Sequence, residues 1–145
     1  MARNQKDFTF DAKLLLQDVT AAITASAAGT VATVAKVLDV GAARLDARVI
    51  VDVSSIDTVT GDESYRIRIQ GSNTADLSTG VVELAALELG GASQTGDTAA
   101  DAVGRREIAF TNEVNGVTYR YVRVYALIAG TTPSLIYTAF MVQQF

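Results

Sequence analysis

A chain of 145 residues that contains no cysteine, histidine or tryptophan has the length of one domain and lacks the side chains of much active-site chemistry. Disulfides, thiolate chemistry and cysteine-based zinc sites are excluded, and the commonest general base and metal ligand is missing. The net charge of −4, with no block of Lys or Arg, argues against a sequence-independent nucleic-acid footprint, so no direct nucleic-acid contact is expected.

Hydrophobic residues make up 49% of the chain, much of it alanine and valine. A sandwich with small inward residues has this composition, and so does a subunit that buries part of its surface in an assembly. Arginine outnumbers lysine nine to three. Its planar fork pairs bidentately and stacks on aromatics, which favours it at interfaces. No stretch approaches the roughly 18–20 apolar residues of a membrane span, so no membrane partner is expected. In the opening MARNQKDFTFDAKLLLQ the apolar run is only Leu14–Leu16, with Asp7 and Asp11 before it. It does not read as a secretory signal, and the expectation is a soluble protein made in a cytosol.

Residues Met1–Asp11 are polar and mixed in charge and read as an N-terminal arm that orders on a partner. Lys13–Asp18 and Val19–Ser26 are expected as strands, with a turn at Ala27–Gly29. A helix over Lys13–Ala28 is the rival, because Ala and Leu favour it. Val31–Val40 is a second apolar run. Leu45–Val53 alternates: Leu45, Ala47, Val49, Val51 and Val53 inward, Asp46, Arg48 and Asp52 outward, and only Ile50 breaks the pattern. One wet face requires that alternation. Ser54–Glu63 is a turn region. Ser64–Gln70 sends Tyr65, Ile67 and Ile69 in and Arg66, Arg68 and Gln70 out.

Gly71–Gly80 is turn chemistry with Leu77 as a plug beneath it. Val81–Leu89 reads as a strand, although Val81, Leu84, Ala85 and Glu88 have helical spacing. Gly90–Gly104 has no pattern, and loops of that length tend to be functional. Arg105–Thr111 is a strand, Asn115-Gly116 is a hairpin signal, and Leu135–Val142 is a last strand, apolar on both faces.

Val117–Gly130, between them, is the longest strand-like run. Val122, Val124, Ala126 and Ile128 share one face, and Tyr119, Tyr121, Arg123 and Tyr125 share the other. The first face is core. The second is too polar for a tight core and too apolar to be left fully wet, which suits a subunit interface, a sugar-stacking platform or a plain surface.

Eight or nine strands without intervening helices mean an all-β sandwich or barrel. Chemistry finds little support. With histidine absent, lysine is the substitute base, and Lys6, Lys13 and Lys36 all lie early. The carboxylates cluster at Asp57–Glu63 and around Asp97–Asp101, in predicted turns where Asp serves turn geometry. The spacing of an EF-hand is missing, and Gly90-Gly91 lacks the lysine of a phosphate cradle. No enzymatic activity, cofactor or metal is expected.

Three stretches, taken in order, are DAKLLLQDVTAAITAS (Asp11–Ser26), ARVIVDVSSIDTVTGDESYRIRIQGSNTADLSTG (Ala47–Gly80) and YRYVRVYALIAGT (Tyr119–Thr131). Together they resemble the small jelly-roll cement (decoration) proteins of tailed-bacteriophage capsids. The resemblance implies an antiparallel jelly-roll β-sandwich of about eight strands over residues 12–145, preceded by an arm over residues 1–11. It implies a homotrimer on the capsid exterior of the virion, made in the host bacterial cytoplasm, that bridges major capsid protein subunits. The loop Gly90–Gly104 has no counterpart in that pattern. On this basis Phe8 and Phe10 are expected to anchor on a neighbour. Tyr119, Tyr121, Arg123 and Tyr125 are expected to face another strand or subunit, and Arg66 and Arg68 to pair with acidic groups on the capsid. The alternative is a carbohydrate-binding sandwich using Tyr119, Tyr121 and Tyr125 as its platform.

Overall fold

Period-two alternation governs the long segments, and the architecture follows from which side of each segment is apolar. The computed structural model describes residues 11–18, 21–90 and 103–143. A 3-10 turn (Ala12–Leu14) leads into β1 (Leu15–Gln17), then β2 (Ala27–Ala28), β3 (Thr30–Val31), β4 (Val34–Ala35) and β5 (Leu38–Asp39). The long strands follow: β6 (Asp46–Ile56), β7 (Ser64–Ser72), β8 (Val82–Leu89) and β9 (Gly104–Thr111). A short hairpin of β10 (Glu113–Val114) and β11 (Val117–Thr118) precedes β12 (Tyr121–Ala129) and β13 (Leu135–Gln143).

The protein is an all-β sandwich of antiparallel sheets. One sheet runs β1-β13-β6-β9; the other runs β2-β12-β7-β8, with β5 also on β12. Ala47, Val49, Val51 and Val53 face Tyr65, Ile67, Ile69, Val122, Val124 and Ala126 in one continuous core, with Leu135, Tyr137, Ala139 and Met141 from β13. Each fully buried Val, Leu or Ile stabilises by about 1.5–3 kcal/mol. Among the described residues no helix is long and apolar enough to cross a membrane.

The early chain departs from expectation. In place of two strands there are a 3-10 turn, the three-residue β1 and a single bridge from Ile23 to Leu135; Val19 and Thr20 lie outside the described residues. Ala27 and Ala28, expected in a turn, pair with Ala126 and Tyr125 of β12. Gly29 is required by close approach instead. A Cβ there would stand 2.4 Å from the Leu16 carbonyl oxygen and 2.4 Å from Val124 Cγ1, and its amide donates to the Val124 carbonyl at 2.8 Å. The residue threads the seam between the two sheets. The turn itself sits at Ala32 and Thr33, with φ of 50° and 66°, where the left-handed region is costly for non-glycine residues. Side chains from the β1 segment hold it. Asp18 accepts from the Ala32 amide and Gln17 from the Thr30 amide, both at 2.7 Å.

Ile50, the break in the alternation of β6, has a structural reason. It points outward, is fully buried, and forms a second apolar cluster with Phe140, Val142 and Leu15. The two-sided apolarity of β13 therefore serves the core and this outer patch, where the Arg105 guanidinium also lies over the Phe140 ring at 5.9 Å. Pairing with β6, Tyr137↔Val53 through Gln143↔Ala47, fixes the register of β13.

The strand reading of Val81–Leu89 holds, and its helical look comes from a bulge. Ile69 faces Ala85 while Gln70 faces Glu83, which leaves Leu84 as the extra residue. Leu84, Ala85 and Leu87 pack on the core.

Buried polar residues lock the ends. Asn112 is fully buried; its Oδ1 accepts from the Leu45 amide at 2.6 Å, and its Nδ2 donates to the carbonyls of Ala43 and Tyr119 at 3.0 and 3.1 Å. Glu63, also fully buried, accepts from the Thr60 hydroxyl and the amides of Thr60 and Gly61. Leu77 is buried beneath its loop, as its apolarity among turn residues predicts.

Gly29→Ala is expected to destabilise by about 1–3 kcal/mol, the usual cost of overpacking, read as a lower urea midpoint with unchanged slope. The Tyr137 hydroxyl, by contrast, is buried without a hydrogen-bond partner among the described residues. Tyr137→Phe is expected to be neutral or to stabilise by up to about 1 kcal/mol, because it removes a desolvated group that gains nothing. A clear drop in thermal midpoint for Tyr137→Phe would show that the hydroxyl is satisfied.

Candidate interaction face

The outer side of β12 alternates with its core side. Val122, Val124 and Ala126 are fully buried, which turns Tyr121, Arg123, Tyr125 and Leu127 away from the core. Pairing with β7 and then β8 extends this face in rows. Tyr125 lies opposite Arg68 and then Ala86, Arg123 opposite Gln70 and then Glu83, and Leu127 opposite Arg66 and then Glu88. Cross-strand neighbours of this kind interact directly.

Tyr121, Arg123 and Tyr125 therefore come together as expected. Tyr119 does not join them. The run expected as one strand is broken at Tyr119 and Arg120, between β11 and β12. The Tyr119 amide donates to the Asn112 carbonyl at 2.7 Å, and its Cβ lies 3.0 Å from where a Gly71 Cβ would stand. Gly71 pairs with the buried Val122, so Tyr119 sits toward the core side, beside Leu84. The buried Asn112, seven residues earlier across the β10–β11 hairpin, holds the chain there by bonding both the amide and the carbonyl of Tyr119. Phe8 and Phe10 lie outside the described residues, as does most of Gly90–Gly104.

Arg66 and Arg68 face outward as read from the alternation, and both have acidic partners within the sheet. Arg66 bonds to Glu83 and to Glu88, and Arg68 Nε reaches Glu83 Oε2 at 2.6 Å. Glu83 and Glu88 are participants that sequence reasoning missed. Their signal was the period-two match of β8 to β7, obscured by the bulge at Leu84. The hydrogen bond from Arg66 holds the Glu83 carboxyl below its ordinary pKa, Arg68 adds to this, and burial opposes it.

Guanidinium groups cover two of the tyrosine rings. Arg123 lies over Tyr125 at 5.4 Å and Arg120 over Tyr121 at 5.5 Å. Arg120 is held from below by a bidentate pair with Asp39, both distances 2.8 Å. Arg123 Nε donates to Gln70 Oε1 at 2.8 Å. These are planar groups held on planar rings over a sheet. An open depression of about 240 Å³ on this side is lined by Arg66, Glu88, Leu127 and the strand ends at Ser64, Tyr65, Leu89 and Ala129.

The carboxylates of Asp57–Glu63 serve turns. Asp57 accepts from the Val59 amide at 3.0 Å. Asp62 accepts from the Thr131 amide and hydroxyl at 3.1 and 2.7 Å, bonds that hold its carboxyl below the usual aspartate pKa. Among the described residues no group of three or more His, Cys, Asp or Glu side chains is placed to hold a metal ion. Comparison with known proteins returns no matching family model, no similar curated protein and no similar solved structure.

Because the folded-state pKa of Glu83 is depressed, its pairing stabilises fully above the unfolded glutamate pKa of about 4.3 and is lost as pH falls through the folded value. Glu83→Gln is expected to cost ~0.5–1 kcal/mol at pH 7, the scale for partly exposed pairs. Denaturant titrations at a series of pH values should show that cost shrinking progressively as pH falls below about 4.3, the unfolded glutamate pKa. A cost independent of pH would mean that packing, not charge, is what the substitution removes.

Proposed function

We propose that this chain is a non-enzymatic structural protein of a tailed-phage virion. It binds the capsid exterior as a homotrimer and bridges major capsid protein subunits. The observation that carries this reading is the outer face of β12, β7 and β8, where half-buried Tyr121, Arg123 and Tyr125 and exposed Leu127 lie on a broad sheet surface. Tyr and Arg are among the residues enriched at protein interfaces, and a sheet face presents them together.

Topology supports the jelly-roll part of the reading. With β1, β2, β6, β7, β8, β9, β12 and β13 taken as strands one to eight, the sheets run 1-8-3-6 and 2-7-4-5. That is the order of two interleaved Greek keys in a jelly roll. Holding a shell needs many modest contacts rather than one tight site, and a trimer multiplies them through effective concentration.

The carbohydrate-binding alternative is less well supported. A sugar stacks on a free aromatic face, and the rings of Tyr121 and Tyr125 each already carry a guanidinium. Tyr119, the third member of that platform, lies apart from them on the core side.

The purified protein is expected to scatter light as a trimer and to co-sediment with expanded capsids of the phage that encodes it. A monomer at high concentration that fails to sediment with capsids would remove the reading. Glycan-dependent shifts of the Tyr121 and Tyr125 ring resonances would favour the alternative.

A further inference from the structure

The outer face of β7, β8 and β12 has a charge imbalance. Arg66, Arg68 and Arg123 stand on it with Glu83 and Glu88, an excess of cation on a chain whose net charge is −4. The two carboxylates are taken by Arg66 and Arg68. Arg123 has no carboxylate partner among the described residues. Its Nε is held by the neutral amide of Gln70 at 2.8 Å and its plane by the Tyr125 ring, and among the described residues neither Nη group has a partner. Arg68, directly across from Tyr125, uses only its Nε on Glu83. Tyr125 carries the Arg123 guanidinium on its ring and pairs across the sheet with Arg68, and its hydroxyl bonds to none of the described residues.

We infer that Arg123, Arg68 and Tyr125 form a receptor for a side-chain carboxylate of a partner protein, an Asp or Glu on an acidic surface segment. Two guanidinium forks and a phenol offer the donors such a group takes up. The forks are already oriented by Gln70, Glu83 and the Tyr125 ring, so little side-chain entropy remains to be lost on docking. Leu127, 43% exposed two residues along the same strand, gives the partner an apolar contact beside the charge. Charge complementarity decides the occupant: the face is locally cationic and flat, and the chain lacks the basic blocks that bind a nucleic-acid backbone. This inference rests on the interface reading for its biological partner, but its chemistry can be tested without a capsid.

The probe is poly-L-glutamate at low salt, titrated into the intact protein with the arginine Nε–H and tyrosine ring resonances observed. Shifts at Arg123, Arg68 and Tyr125 are expected. Affinity should fall about tenfold or more in Arg123→Gln and less in Arg123→Lys, which keeps the charge but loses the fork. Affinity should be unchanged in Arg44→Gln, a substitution at an exposed arginine away from this face. Shifts confined to other residues, or equal binding by Arg123→Gln in a well-dispersed spectrum, would overturn the proposal. So would equal affinity for dextran sulfate, which carries charge without carboxylates. Capsid co-sedimentation separates the two claims. If wild type and Arg123→Gln sediment equally, the carboxylate receptor falls and the capsid reading stands. If wild type does not sediment, the capsid reading falls and the polyglutamate titration decides the receptor.

Discussion

The pairing of β12 with β7 is the constraint on which the rest of this structure depends. It runs without a bulge from Tyr121↔Ser72 to Ala129↔Ser64. Because side chains alternate with period two, a slip of one residue would bring Tyr121, Arg123 and Tyr125 into the core and send Val122, Val124 and Ala126 to water. Both ends are pinned. At one, a Cβ on Gly130 would stand 2.6 Å from Glu63 Cα, so the backbones meet too closely for any other residue. At the other, Asn73 Oδ1 accepts from the Arg120 amide and its Nδ2 donates to the Thr118 carbonyl, both at 3.0 Å.

That register also sets the electrostatics of the outer face. Arg66 and Arg68 stand beside Glu83 only because the bulge at Leu84 shifts β8 by one residue against β7. The bulge keeps Leu84 on the core side together with Ala85, Leu87 and Leu89 and delivers a shared carboxylate to two arginines on the other. Gln70, opposite Arg123, brings no charge of its own, so the guanidinium nearest the middle of the sheet is oriented but not neutralised. A face of this kind is ordered in the isolated subunit, and binding through it would cost little reorganisation.

The parts of the fold legible in the sequence are those where burial and alternation coincide within one segment. Ala47–Val53, Tyr65–Ile69 and Val122–Ala126 each put their apolar residues on the core side as the pattern demands. Asn115-Gly116 closes the β10–β11 hairpin with both residues at positive φ, the conformation those residue types accept. The early chain was opaque because its short strands are defined by what they touch. Gly29 looks like a turn residue and is in fact a contact residue, whereas the real turn uses Ala32 and Thr33, which carry no turn signal. Tyr119 was misplaced for a related reason: the fully buried Asn112, at the base of the β10–β11 hairpin, bonds the Tyr119 backbone and decides where the alternation breaks.

By itself the sequence determined the all-β class, the inward and outward sides of the long strands, and the gathering of Tyr121, Arg123 and Tyr125 on one side of one strand. These follow from local stereochemistry, since the direction of a strand side chain depends only on its parity. Tertiary structure alone decided which strands neighbour one another, that Glu83 and Glu88 would neutralise Arg66 and Arg68, and that Arg123 would meet the neutral Gln70 rather than a carboxylate among the described residues. Those outcomes depend on register between segments distant in the chain, and a single bulge residue changes them without altering the pattern of either strand.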